Sequence, residues 1–139
     1  MNDLPITGHC LCGAVQFEID GPLENAGYCH CTRCQRRTGT AASIQARIPR
    51  GGLRMLTGEE HIRAYRPDDG GFDKLFCGEC GSSLFSRSPD DHELMSVRFG
   101  VLNRDPGVPI EWRQYVAYAA PWEPIPDDGV PRYEESRPR

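Results

Sequence analysis

Gly8-His9-Cys10-Leu11-Cys12-Gly13-Ala14-Val15-Gln16-Phe17 carries a C-x-C pair, and far along the chain Phe76-Cys77-Gly78-Glu79-Cys80-Gly81 carries a C-x-x-C pair. The second stretch has the form of a zinc knuckle, a tight turn in which Gly78 and Gly81 relieve steric limits and let backbone N–H groups approach the sulfurs. In an extended segment residues i and i+2 point to the same side, so Cys10 and Cys12 are expected to face one ion from a strand end. Joined, Cys10, Cys12, Cys77 and Cys80 form a four-thiolate set, the usual structural zinc site. Such a clamp ties N-terminal strands to the middle of the chain and adds metal-binding free energy to a small core.

The other three of the seven cysteines are Cys29, Cys31 and Cys34, in the pattern C-x-C-x-x-C. All seven lie in clusters, which a scatter of small buried hydrophobes does not explain. An odd count, in a chain that opens with no basic region and no apolar stretch, argues against a disulfide scaffold. Soft thiolates favour zinc, with an iron–sulfur cluster as the lesser alternative. Three protein ligands leave a fourth position open, the mark of a catalytic or ligand-exchanging site. Closure by His9, His30, His61 or His92, or a different partition of the cysteines, stays open at this point. His30 lies between Cys29 and Cys31, so on an extended segment its side chain points away from both and suits a supporting role.

Three thiolates on a divalent zinc leave a net charge of about −1, which weakens the ion as a Lewis acid toward water. The same site suits a fourth sulfur, and a substrate thiol bound there becomes an oriented thiolate nucleophile. Arg33, Arg36 and Arg37 follow within a few residues and are candidates for holding carboxylates of an acidic substrate. Residues 32–38 are predicted to form a short helix closed by Gly39 in the left-handed cap conformation.

With 139 residues, the chain is expected to form one domain over residues 1–130, followed by a polar, proline-bearing tail over 131–139 that frays. A net charge of −4 provides no global field for phosphate backbones, and nucleic-acid binding is set aside. No apolar run approaches the ~20 residues needed to span a bilayer, so no membrane association is expected and the reading is soluble and cytoplasmic. Short alternating runs at 14–19, 42–48, 61–65, 74–76, 84–87, 94–99 and 112–117 read as strands. Glycines, prolines and aspartates at 20–22, 50–52, 66–71, 88–91 and 103–109 read as the turns between them. Tyr115, Tyr118 and Trp122 are more readily core or lid than site residues.

The segments 8–17, 28–39 and 76–85, with Val97-Arg98-Phe99-Gly100-Val101-Leu102 and the stretch 120–128, resemble the glutathione-dependent formaldehyde-activating enzyme family, also called the centromere protein V domain family. The likeness spans roughly residues 7–133 and matches all seven cysteines. It implies a mostly β, antiparallel fold of the Mss4-like type with a short helical turn, stapled by two zinc ions per chain. Carried over position by position, Cys10, Cys12, Cys77 and Cys80 fall on the structural site, and Cys29, Cys31 and Cys34 on the catalytic one. The implied activity is that of a carbon–sulfur lyase forming or cleaving S-hydroxymethylglutathione, with glutathione as the small-molecule partner. Two other functions compete: a non-catalytic zinc-binding interaction module or thiol carrier, and a redox protein akin to the methionine sulfoxide reductases, with one of the Cys29 cluster as nucleophile.

Overall fold

Alternation of apolar and polar side chains assembles the chain into two facing sheets. The protein is described by a computed structural model covering residues 5–138; residues 1–4 of the N-terminal stretch and residue 139 of the expected tail lie outside the described residues. The strands are β1 (Ile6–His9), β2 (Gln16–Ile19), β3 (Glu24–Cys29), β4 (Ser43–Arg47), β5 (Leu53–Thr57), β6 (Ile62–Tyr65), β7 (Asp73–Cys77), β8 (Ser83–Arg87), β9 (Leu94–Arg98), β10 (Trp112–Gln114) and β11 (Arg132–Tyr133). The one α-helix among the described residues, α1 (Thr32–Thr38), ends on Gly39 at φ 71°, the left-handed cap that glycine adopts without steric cost. Strands β1, β2 and β5 form a small sheet, and the larger one runs in the order β11-β10-β3-β4-β9-β8-β7-β6. Pairing is antiparallel except where β10 lies parallel to both β3 and β11. The fold is thus mostly β, and among the described residues no helix is long and apolar enough to cross a membrane.

The core lies between the sheets. In β2, Phe17 and Ile19 turn inward while Gln16 and Glu18 turn away, and in β7 Asp73, Leu75 and Cys77 are buried in the same period of two. Phe17 meets Phe85 of β8 edge-on, with ring centroids 5.0 Å apart at 77°. Val15, Ile19, Ile48, Leu84 and Val97 are fully buried around that pair, and each such side chain contributes roughly 1.5–3 kcal/mol through removal of apolar area from water. Among the buried polar residues Asp73 is fully enclosed, and its carboxylate accepts from Arg66 at 3.0 Å and from Arg87 at 2.9 and 3.1 Å.

β1, β3, β5 and β11 form where the sequence reading placed no strand, and three of the departures have a local cause. β3 forms although Asn25 and Gly27 are poor strand residues, because the strand bulges near Asn25, at φ 53°, and Gly27 lies beneath the Trp112 ring. β10 stops at Gln114, where Tyr115 at φ 58° turns the chain into a 3-10 turn over 116–118. Described residues of the tail expected to fray make backbone contacts with β10 and the turn after it. β11 pairs with β10, Arg113 N–H donates to Pro131 O at 2.9 Å, and Tyr115 N–H donates to Glu135 O at 2.9 Å. The unpaired edge of β10 supplies backbone partners that a polar composition does not advertise.

Candidate metal centres and the adjoining cleft

Two thiol clusters form, with the membership that spacing suggested: Cys10, Cys12, Cys77 and Cys80 in one, Cys29, Cys31 and Cys34 in the other, all sulfurs of a cluster lying within 4.8 Å of one another. No histidine joins either set among the described residues. In the first, Cys10 and Cys12 sulfurs are 3.6 Å apart, and those of Cys12 and Cys77 are 4.0 Å apart. Sulfurs held about 2.3 Å from one tetrahedral ion lie about 3.8 Å from each other, so the set fits zinc.

The expected strand geometry for Cys10 and Cys12 gives way to a turn: Gly13 N–H donates to Cys10 O at 3.1 Å, and Leu11 N–H reaches Ser82 Oγ across to the other pair at 2.9 Å. The site is therefore two facing turns. Backbone N–H groups approach the sulfurs as the knuckle reading requires, with Val15 N–H donating to Cys10 Sγ at 3.3 Å. The Ser82 hydroxyl and N–H hold the Cys80 thiol down to about 5, which favours the thiolate that binds metal.

The second cluster is built where β3 runs into α1. Cys29 is the last residue of β3, Cys31 is the helix N-cap, and Cys34 lies in the first turn. Cys34 N–H donates to Cys31 Sγ at 3.3 Å, so sulfur takes the place of the usual capping oxygen. Hydrogen bonds from Cys29 and Cys31 hold the Cys34 thiol down to about 2, with Arg98 adding attraction, while Cys31 and Cys34 push Cys29 up. His30 points away, as the alternation predicted. Its Nε2 lies 3.3 Å from Arg113 Nη1, and burial followed by the charges of Arg113 and Arg132 holds it below its ordinary value, as a neutral imidazole.

Cys29 and Cys34 open onto a cleft of about 300 Å³. Its floor is the polar face of the large sheet, and strand register sets the order of its residues. One transverse row reads Lys74, Ser86, Ser96, Arg47 across β7, β8, β9 and β4. The next reads Arg98, Gln45, Gly27, Trp112, and the row beside the thiols reads Ser43, Cys29, Gln114. Ser43 Oγ, Arg98 Nε and Trp112 Nε1, all on lining residues, are buried without a hydrogen-bond partner. Asn25 and Tyr115, two of the non-glycine residues with positive φ, line the same cleft, where backbone strain often marks function.

The three helix arginines do not line this cleft. Arg33 pairs with Asp69 at 2.6 Å on the surface. Arg36 borders a separate shallow hollow beside the exposed Trp122. Arg37 is half-buried beside the thiols and donates to Ser83 Oγ at 2.7 Å. The cations that do line the cleft are Arg47, Lys74, Arg98 and Arg137, with no Asp or Glu beside them. The signal for two of them was present in the sequence: Ser43, Gln45 and Arg47 alternate with apolar residues, as do Ser96 and Arg98 around Val97. Three aromatics also belong here, Phe72, Tyr115 and Trp112, the last with the Arg137 guanidinium 4.5 Å above its ring.

Comparison with known proteins agrees with this architecture. A crystal structure of a Rhodobacter sphaeroides protein superposes with a TM-score of 0.55 at 26% identity, covering 91% of this chain and 98% of that one. A Halomonas elongata protein, provisionally named a glutathione-dependent formaldehyde-activating enzyme, is 25% identical over 105 residues, or 72% of this chain and 67% of its own length. A Sordaria macrospora protein with the same provisional name is 24% identical over 102 residues, 69% of this chain and 43% of its own. The matched region thus spans less than half the length of that fungal relative. The family model described as glutathione-dependent formaldehyde-activating enzyme matches residues 5–117. With that match running through both cysteine clusters and most of the strands, the chain belongs to the glutathione-dependent formaldehyde-activating enzyme family.

Proposed function

We propose that this protein is a zinc-dependent carbon–sulfur lyase that joins glutathione to formaldehyde as S-hydroxymethylglutathione and cleaves the same adduct. The observation that carries the reading is the three-thiol cluster of Cys29, Cys31 and Cys34, of which Cys29 and Cys34 open onto a cleft. Those residues would hold the catalytic ion, and Cys10, Cys12, Cys77 and Cys80 the structural one. Zinc bound by three thiolates supplies a soft Lewis acid that lowers the pKa of a thiol and fixes its direction.

The chain's own groups complete the site. Arg98 and Arg37 set positive charge beside the cluster, which favours a thiolate there and an alkoxide on the carbonyl oxygen. In the forward direction glutathione's sulfur bonds to the formaldehyde carbon, the C=O π pair moves to oxygen, and that oxygen takes up the proton lost by the thiol. In reverse the hydroxyl proton leaves, the carbonyl reforms and the C–S bond breaks with its electron pair on sulfur. Holding sulfur and carbonyl together lowers the entropic part of the barrier, which matters because the uncatalysed addition is already facile.

Exchange of isotopically labelled formaldehyde with glutathione, followed by NMR against a protein-free control, tests the reading. The zinc-loaded chain is expected to accelerate exchange, and Cys34→Ser to return it to the control rate while bound zinc falls from two ions to one. No acceleration by the wild-type chain, or full acceleration by Cys34→Ser, overturns it. Tight glutathione binding without acceleration would make the protein a thiol carrier.

A further inference from the structure

The chain carries a net charge of −4, yet the cleft beside the three-thiol cluster is lined by four cations and no carboxylate. This local inversion is not balanced by surface ion pairs: among the described residues Arg47, Lys74 and Arg98 have no carboxylate partner. Arg98 is 8% exposed and keeps an unpartnered Nε. A buried guanidinium without a counter-charge is costly to leave so, and such groups are ordinarily paired. The thiolates lie close enough to act on Arg98, Arg37 and, through Cys34, Lys74. They do not answer for Arg47, which stands four residues along β4 from Ser43 and so about 13 Å of strand from the thiol row. Lys74 stands in the same transverse row as Arg47, with Ser86 and Ser96 between them. The far end of the cleft therefore presents two long cationic side chains above a hydroxyl-lined floor, an arrangement suited to charge-assisted hydrogen bonds with anionic oxygen.

We infer that Arg47 and Lys74 are the carboxylate anchors of the cleft and that they restrict it to thiols bearing carboxylates, with α1 taking no part in that selection. The inference rests on the proposed function for the identity of the thiol, and on the cleft's own charges for the rest. The sheet, which is the rigid element of the fold, holds the recognition groups, and the helix N-terminal turn holds the sulfurs.

Calorimetric titration of the zinc-loaded full chain with S-methylglutathione, a thioether with no thiol proton to lose, reads the anchors apart from sulfur binding. Its dimethyl ester, in which both carboxylates are blocked, is the paired ligand. Wild type is expected to prefer the diacid by tenfold or more, on the order of one charge-assisted contact. Arg47→Gln and Lys74→Gln are each expected to weaken the diacid about tenfold while leaving the ester unchanged, and Arg33→Gln to change neither. Equal binding of diacid and diester by wild type, binding of neither, or variants that weaken both ligands alike, overturns the inference. The wild-type comparison needs no variant and decides the matter even where a substitution fails to fold. Failure of the lyase reading looks different: formaldehyde exchange stays at the control rate while the preference for the diacid persists.

Discussion

Replacing Gly27 with alanine would place a Cβ 2.1 Å from Trp112 Cδ2, 2.3 Å from Cε2 and 2.4 Å from Cε3. Carbon atoms in comfortable contact lie about 3.5–4.0 Å apart, so the indole must withdraw by more than about 1 Å or β3 must part from β10. Neither is easy. Trp112 is 7% exposed, its backbone pairs in register with Gly27, and Arg137 covers its outer face. Overpacking of this kind costs about 1–3 kcal/mol, and the absence of slack puts the expected loss near 2 kcal/mol. With a urea dependence of about 1.5 kcal/mol per molar, the midpoint of the zinc-loaded chain falls by about 1.3 M. Trp112 fluorescence, read in a Trp122→Phe background, should report the displaced ring. The decisive arm is a double-mutant cycle. In a Trp112→Ala background the same Gly27→Ala change has room, and alanine's smaller loss of backbone freedom makes it neutral or stabilising by about 0.5 kcal/mol. An equal loss in both backgrounds would refute the packing argument.

Asp73 is pushed down to about 2, first by Arg66 and then by Arg87, so its folded pKa lies below its ordinary value of 3.8. Its contribution is therefore complete above that value and is lost as pH falls toward 2. Asp73→Asn should lower stability by about 3 kcal/mol at pH 7, the lower end for a broken buried pair because both arginines keep some water contact, and the gap from wild type in urea midpoint should narrow below pH 4. A gap that stays constant down to pH 2.5 would exclude the carboxylate as its source. Cys77→Ser opens the four-thiol clamp between residues separated by 65 positions; by chain-entropy reasoning this removes about 4 kcal/mol, read as a drop in melting temperature with one zinc lost per chain. An unchanged melting temperature would show that the clamp does not staple the sheets.

The cysteine partition, the helix from Thr32 and its glycine cap were legible because each rests on local rules: ligand count, spacing, and a left-handed terminus. Seven of the strands were legible from alternation, although the reading extended the one at Trp112 past Tyr115. β3 was not, since a bulge at Asn25 and a glycine beneath Trp112 make sense only once β10 lies alongside. Arg33, Arg36 and Arg37 lie off the cleft for a related reason. Nearness in sequence put them beside the cysteines, whereas sheet register, a long-range property, brings Arg47, Lys74 and Arg98 there from three separate strands. The tail illustrates the same limit, because its order comes from the exposed edge of β10 and not from its own composition.

The two thiol clusters differ most in how soon each can exist. Cys29, Cys31 and Cys34 lie on one short stretch of chain, while Cys12 and Cys77 must close 65 positions, and the entropic cost of closure differs by roughly 2 kcal/mol. A nascent or refolding chain can therefore gather its first ion at the triad while the strands are still unpaired. The four-thiol site assembles only after β1 and β8 bring their flanking turns together, so its ion arrives last. Assembly of the three-thiol cluster thus runs ahead of the four-thiol cluster that joins the distant turns.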